Sequence, residues 1–220
     1  MVKTRILLII ICLFSFIGNW KSVDHNEALI GIIDFSYALS QHTGTSPYSA
    51  FKCVMGDPPF QAKIVKDEFS GYATGHGLYF RPGKVTKRLV VHELAHWFAF
   101  RINAINEEKG PEYLLENYGV WSGDQLITGT TQGIFYLRNN HMNAPENGYY
   151  SDDYRDEYQI HPRKHIMGVN ESEDFADMVL NWVYKSFVPN RAGKALYAWV
   201  DSHMQIWLLP CTYRPGDNMR

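Results

Sequence analysis

The chain is poor in cysteine, with three in 220 residues. That excludes a disulfide-dense scaffold. No Cys stands near another Cys or at helical spacing from a His, which removes cysteine-based zinc sites. Strong charge of either sign is also missing: the formal net charge is −2 and no long basic run occurs, so nothing points to nucleic acid as a partner. There is no run of about 20 apolar residues, the length that a membrane-spanning helix requires. Internal repeats and low-complexity segments are absent. What remains is 45% hydrophobic and 15% aromatic, enough for a packed core, in a length that suits one domain.

The N-terminus carries the first positive signal. Lys3 and Arg5 precede an apolar run, Ile6 to Ile17, closed by Gly18 and Asn19. That length matches the apolar region of a secretory leader, about 7–15 residues. The expectation is a signal peptide over 1–20, cut between Ser15 and Trp20, and a domain over 21–220. No Ala-x-Ala pattern fixes the scission, and bulky Ile11 before Cys12 argues against a lipoprotein. The expected location is secreted or periplasmic, and a membrane enters only if the segment stays uncleaved as a short anchor. Cys12 leaves with the leader. Cys53 and Cys211 then remain as either a disulfide or two buried thiols.

The stretch that organises the chain is Val90-Val91-His92-Glu93-Leu94-Ala95-His96-Trp97-Phe98. On a helix, residues four apart lie one above the other, so His92 and His96 share a face. Two neutral imidazoles one turn apart can grip one zinc ion at about 2.0–2.1 Å each. Glu93 stands about 100° round the helix, beside such a metal, where its carboxylate could hold and deprotonate an activated water. The apolar residues around the trio make three buried ionisable groups costly unless they are paired or metal-bound. Thr86 is the expected N-cap of a helix over 87–103.

Elsewhere the pattern predicts a helix over 28–39, opened by a capping box at Asp24-His25-Asn26-Glu27 and ended near Thr43-Gly44. Two short strands joined by Gly56-Asp57-Pro58-Pro59 are expected between Phe51 and Phe69. A strand at 78–81 would lie at the sheet edge beside the cleft. Gly75 and Gly77 would permit an extended peptide to approach it closely; a loop with a buried aromatic pair is the other reading. Beyond 104 the periodicity is weak, with a short helix at 111–117 and a short strand at 133–137. The polar stretch 139–154 is expected to wall the cleft. A buried helix from Glu171 to Tyr184 and a last helix over 192–209 complete the chain. The fold class expected is α+β, with a small mixed sheet on the His-Glu-x-x-His helix and a mainly helical C-terminal part.

Catalytic zinc takes three protein ligands and keeps a fourth position open. Glu173 is the candidate third ligand, and Asp177, four residues on, could accept the N–H of a ligating His and orient its ring. Taken together, His92-Glu93-x-x-His96 and Glu173-Asp174-Phe175-Ala176-Asp177 resemble the zincin metallopeptidases of gluzincin type. The resemblance is greatest to lethal-factor-like peptidases, whose second helix carries Glu-x-Phe-Ala-Glu. It implies a zincin-like fold, Zn2+ held by His92, His96 and Glu173, and Glu93 as general base. It further implies an oxyanion donor upstream of the third ligand, with Tyr154, Tyr158, His161 and His165 as candidates. Glu116 stands at the shorter, thermolysin-like distance from His96, though Val120 occupies the place where that family has Asp. Glu112 and Glu171 are further alternatives.

The function this implies is a secreted zinc-dependent hydrolase acting on a peptide or protein substrate. Two alternatives stay open. The same two His and one carboxylate can hold Fe(II) in an oxygen-using centre. The chain could also be a toxin-associated binding module with a structural or vestigial zinc.

Overall fold

In the computed structural model, which describes residues 16–63, 70–128, 171–187 and 189–212, the chain is a mixed α and β protein. It divides into two compact units, Met1–Phe98 with Trp207–Arg220 and Ala99–Ile206. Among the described residues, no helix is long and apolar enough to cross a membrane.

In the first unit, strand β1 (Phe16–Gly18) leads into helix α1 (Ser22–Thr43). The segment 1–15 lies outside the described residues, and β1 falls within the stretch expected to form the leader. Helix α1 ends where Gly44 takes the left-handed conformation, φ 67°, and its N–H donates to the Ser40 carbonyl. The expected capping box does not form. The helix starts earlier, at Ser22, with no side-chain cap at Lys21, and Asp24 and Glu27 reach to other parts of the chain.

A second correction concerns 51–55. Instead of a strand, helix α2 (Pro47–Met55) is present. Ser46 caps it by accepting from the Ser49 N–H at 3.1 Å, and Pro47 occupies the first turn, where its missing N–H costs nothing. The apolar residues Phe51 and Met55 are buried at helical spacing, with Ala50 and Val54 beside them. Cys53, the apparent middle of an alternating strand, is exposed. It is bonded to Cys211, Cα to Cα 5.9 Å, which decides between the two readings of that pair. Cys211 lies in a short 3-10 turn, Leu209–Cys211, that follows the last helix.

Strands β2 (Phe60–Ala62), β3 (Gly71–Thr74) and β4 (Gly77–Phe80) join β1 in one sheet of order β1-β2-β4-β3. The β1–β2 and β2–β4 pairs are parallel and the β3–β4 pair is antiparallel. The strand expected at the edge is therefore an inner one. The chain folds back at Gly75-His76, and this places Gly71–Thr74 outermost. Gly77 serves the sheet itself: a Cβ there would meet the Pro59 carbonyl oxygen at 2.8 Å. The buried face carries Phe60, Leu78 and Phe80, each 0% exposed. On the other face Tyr72 stacks on Tyr79 with centroids 4.6 Å apart, and Lys63 Nζ sits 3.9 Å from the Tyr79 centroid. Helix α3 (Lys87–Ile105) follows.

In the second unit, α3 ends and a 3-10 turn (Glu107–Lys109) leads to helix α4 (Pro111–Asn117), placed where the sequence predicts it. A hairpin of β5 (Val120–Ser122) and β6 (Gln125–Thr128) was not expected. Its signal was present in Gly123-Asp124 between two apolar pairs, a turn dipeptide that favours such hairpins. Helix α5 (Glu171–Tyr184) packs against α4. Helix α6 (Arg191–Trp207) is tied to α5 by the Trp182 indole N–H, which donates to Asp201 Oδ1 at 3.0 Å. Arg191 holds the hairpin by donating to the side chain and carbonyl of Ser122. The strand expected at 133–137 and the polar stretch 139–154 lie outside the described residues.

Candidate metal centre

Helix α3 is where the chemistry-bearing residues begin. Its start is held from outside. Thr86 caps it, its Oγ1 accepting from the Leu89 N–H at 3.1 Å. Glu27 on α1 accepts the Lys87 N–H at 2.8 Å, and Asp24 accepts the Gly83 N–H at 2.6 Å in the turn just before. Free N–H groups at a helix start carry partial positive charge, and α3 has no acid in its own first turn, so α1 supplies the negative charge. One turn beyond Glu27, Gly31 lets α1 pass close to α3: a Cβ there would meet the Lys87 carbonyl oxygen at 2.7 Å. Asp24, Glu27 and Gly31 recur at three and four residues, so one stripe of α1 braces the beginning of α3.

Further along, the Trp97 indole N–H donates to the Met55 carbonyl at 2.9 Å. Phe98 meets Trp207 edge to face, centroids 5.8 Å apart. The cystine links the segments that bear these two partners, since Cys53 is two residues before Met55 and Cys211 follows Trp207. The part of α3 after His96 is thus held on two sides.

His92 and His96 turn their Nε2 atoms toward each other at 3.1 Å, with ring planes 79° apart. Two ligands of one tetrahedral zinc stand about 3.3 Å apart, so the pair already has nearly the required spacing. Glu173, near the start of α5, joins them: one ligand atom from each of His92, His96 and Glu173 lies within 4.8 Å of the others. Two imidazole nitrogens and one carboxylate oxygen are a donor set that zinc accepts, and the residues fit the ion. His96 is 7% exposed, while His92 and Glu173 are half-buried.

Glu93 is 4% exposed and is not part of the ligand group. Its side chain lies against β3, where a Cβ on Gly71 would come within 3.1 Å of Oε1. Asp177, one turn after Glu173 on α5, is 4% exposed. Among the described residues, neither Glu112 nor Glu116 belongs to the ligand group. Glu112 accepts from Asn103 Nδ2 at 3.3 Å, and Glu116 is exposed. The candidate oxyanion donors Tyr154, Tyr158, His161 and His165 lie outside the described residues.

Compared with known proteins, the chain matches no family model, no curated protein and no solved structure. What it does must therefore be argued from the site. The sequence singles out His92, His96 and Glu173, which the structure groups as residues that could hold a metal ion, but not Asp24, Glu27 and Gly31 as supports of α3. Their spacing was legible; that they face another helix was not.

Proposed function

We propose that this protein is a zinc-dependent peptidase of zincin-like architecture that works outside the cytoplasm, after export on its N-terminal segment. The observation that carries the proposal is the pair of Nε2 atoms facing each other at 3.1 Å with a Glu173 oxygen close by. A buried acid that is not a ligand, Glu93, stands next to the first histidine.

His92, His96 and Glu173 would hold the zinc, and Asp177 would orient a ligating ring. When bound, zinc in such a site supplies a Lewis acid that makes water more acidic and polarises a carbonyl. Glu93 has the proton work. Its carboxylate accepts a proton from the attacking water and passes it to the nitrogen of the departing amine, so that the acid is regenerated with each turnover. Burial suits the role, because a carboxylate removed from bulk water is spared competing hydration. Strand β3, outermost in the sheet, offers backbone groups with which an extended peptide could pair beside Glu93.

The test is Glu93→Gln in the zinc-loaded protein, assayed on a mixed peptide library. Zinc content is expected to stay at the wild-type level while cleavage falls by about 10²–10⁴-fold, the usual worth of a general acid–base. Unchanged cleavage would remove this mechanism. Stoichiometric iron in anaerobically purified protein, with zinc absent, would move the site to oxygen chemistry.

A further inference from the structure

We infer that Gly71 is a positioning residue: by carrying no Cβ, it sets where the Glu93 carboxylate lies. The inference rests on the peptidase reading and adds to it a residue outside the motif.

Gly71 is the first residue of β3 and is buried. It pairs with Phe80 in the antiparallel ladder, which the Arg81 N–H extends by donating to the Ser70 carbonyl at 2.9 Å. The three atoms nearest to a Cβ built at this position are Glu93 Oε1 at 3.1 Å, Glu93 Cγ at 3.3 Å and Phe80 Cδ1 at 3.3 Å. A methyl group would be crowded between an aromatic ring and the acid, and one of them must give by a few tenths of an ångström.

Packing decides which. Phe80 is fully buried, with Phe60 stacked parallel at 6.4 Å and Trp20 at 5.8 Å. Close-packed rings of this kind have nowhere to go. The β3 backbone is held by its ladder and, on the opposite face, by Tyr72 stacked on Tyr79 with Lys63 over the pair. Glu93 is the soft partner, because its carboxylate is the far end of a flexible side chain. The displacement therefore falls on the carboxylate. Catalytic groups must be held within about 0.5 Å of the productive geometry, and a 1 Å misplacement can cost about 100-fold. A shift of a few tenths of an ångström uses up most of that tolerance and, scaled logarithmically from the 1 Å figure, costs up to about tenfold.

The experiment compares the zinc-loaded full chain with Gly71→Ala. Four quantities are measured: zinc content, melting temperature, kcat and KM on a peptide selected from the mixed library, and high-resolution crystal structures of both proteins. Gly71→Ala is expected to keep its zinc and its melting temperature, to lower kcat about tenfold, and to change KM less than about twofold. Its crystal structure should show the Glu93 carboxylate displaced and the Phe80 ring in place. An unchanged kcat overturns the inference. So does a loss of zinc and melting temperature in step with activity, or a fixed Glu93 beside a displaced Phe80 or β3. If the wild-type protein cleaves no peptide, the peptidase reading fails by itself, and the crystallographic comparison still decides what Gly71 does.

Discussion

Two groups of acids in this chain have the same chemistry and opposite circumstances. Asp24 and Glu27, on α1, end on backbone N–H groups, those of Gly83 and Lys87. Glu173 stands with two histidines, and Glu93 and Asp177 are nearly buried on the helices that carry these three residues. The first group meets donors that the backbone must satisfy anyway at a turn and a helix start. In the second group, Glu173 stands by two imidazoles, which can exchange protons or share a cation. A buried acid is thus assigned to structure or to chemistry by the donor that it faces.

The largest expected break of this comparison is Glu173→Ala. It should lower zinc affinity by more than the about 10–100-fold typical of losing an outer-shell partner, whereas Asp177→Asn should fall within that range and Glu116→Ala should leave affinity unchanged. Titration with a chromogenic zinc chelator reads all three. Loss of zinc from Glu116→Ala alone would put the thermolysin-like spacing in place of the Glu173 assignment.

On the structural side, Asp24→Ala removes a charge-assisted hydrogen bond from a fully buried position. It should destabilise by about 1.5–3 kcal/mol, read as a drop in melting temperature of about 3–10 °C. Glu27→Ala removes a cap at a half-buried position and should cost about 1 kcal/mol. If either variant lost zinc binding or the proposed peptidase activity at a temperature where it remains folded, the division between structural and chemical acids would fail.

The smallest effect concerns a histidine far from the ligand trio in sequence. His203 is partly buried on α6, and its Nδ1–H donates to the Trp199 carbonyl at 2.7 Å. Burial pushes its pKa below the ordinary 6.5, against a smaller opposing effect of that hydrogen bond. The folded chain therefore binds fewer protons than the unfolded chain just below pH 6.5. Stability from neutral His203 is complete above that pH and is lost as pH falls toward the lowered folded value. His203→Gln should flatten the decline of melting temperature between about pH 7 and pH 5. An unaltered slope would show that other groups govern it.

Much of the site was legible because helical periodicity is local. His92, Glu93 and His96 identify themselves by spacing four along an apolar run, and Glu173 with Asp177 repeats that spacing at the start of a second buried helix. The ends of α4 and α5, the stop of α1 at Gly44 and the cap at Thr86 follow from local rules as well. Failures came where one residue type serves two local patterns. Asp24 and Glu27 spell a capping box, yet the helix starts before them, and their carboxylates face a turn and a helix start about sixty residues away. Phe51, Cys53 and Met55 alternate like a strand, but Ser46 and Pro47 had already started a helix.

By itself, then, the sequence determined which helices carry the candidate metal-binding side chains and which acid adjoins them, since a helix converts spacing into direction without outside help. It could not decide which strand becomes the sheet edge, whether Cys53 meets Cys211, or what lies against Glu93. Those depend on contacts between segments remote in the chain. The turn at Gly75-His76 puts Gly71 beside Glu93, and only the packed sheet explains why a side chain at that position would crowd the acid.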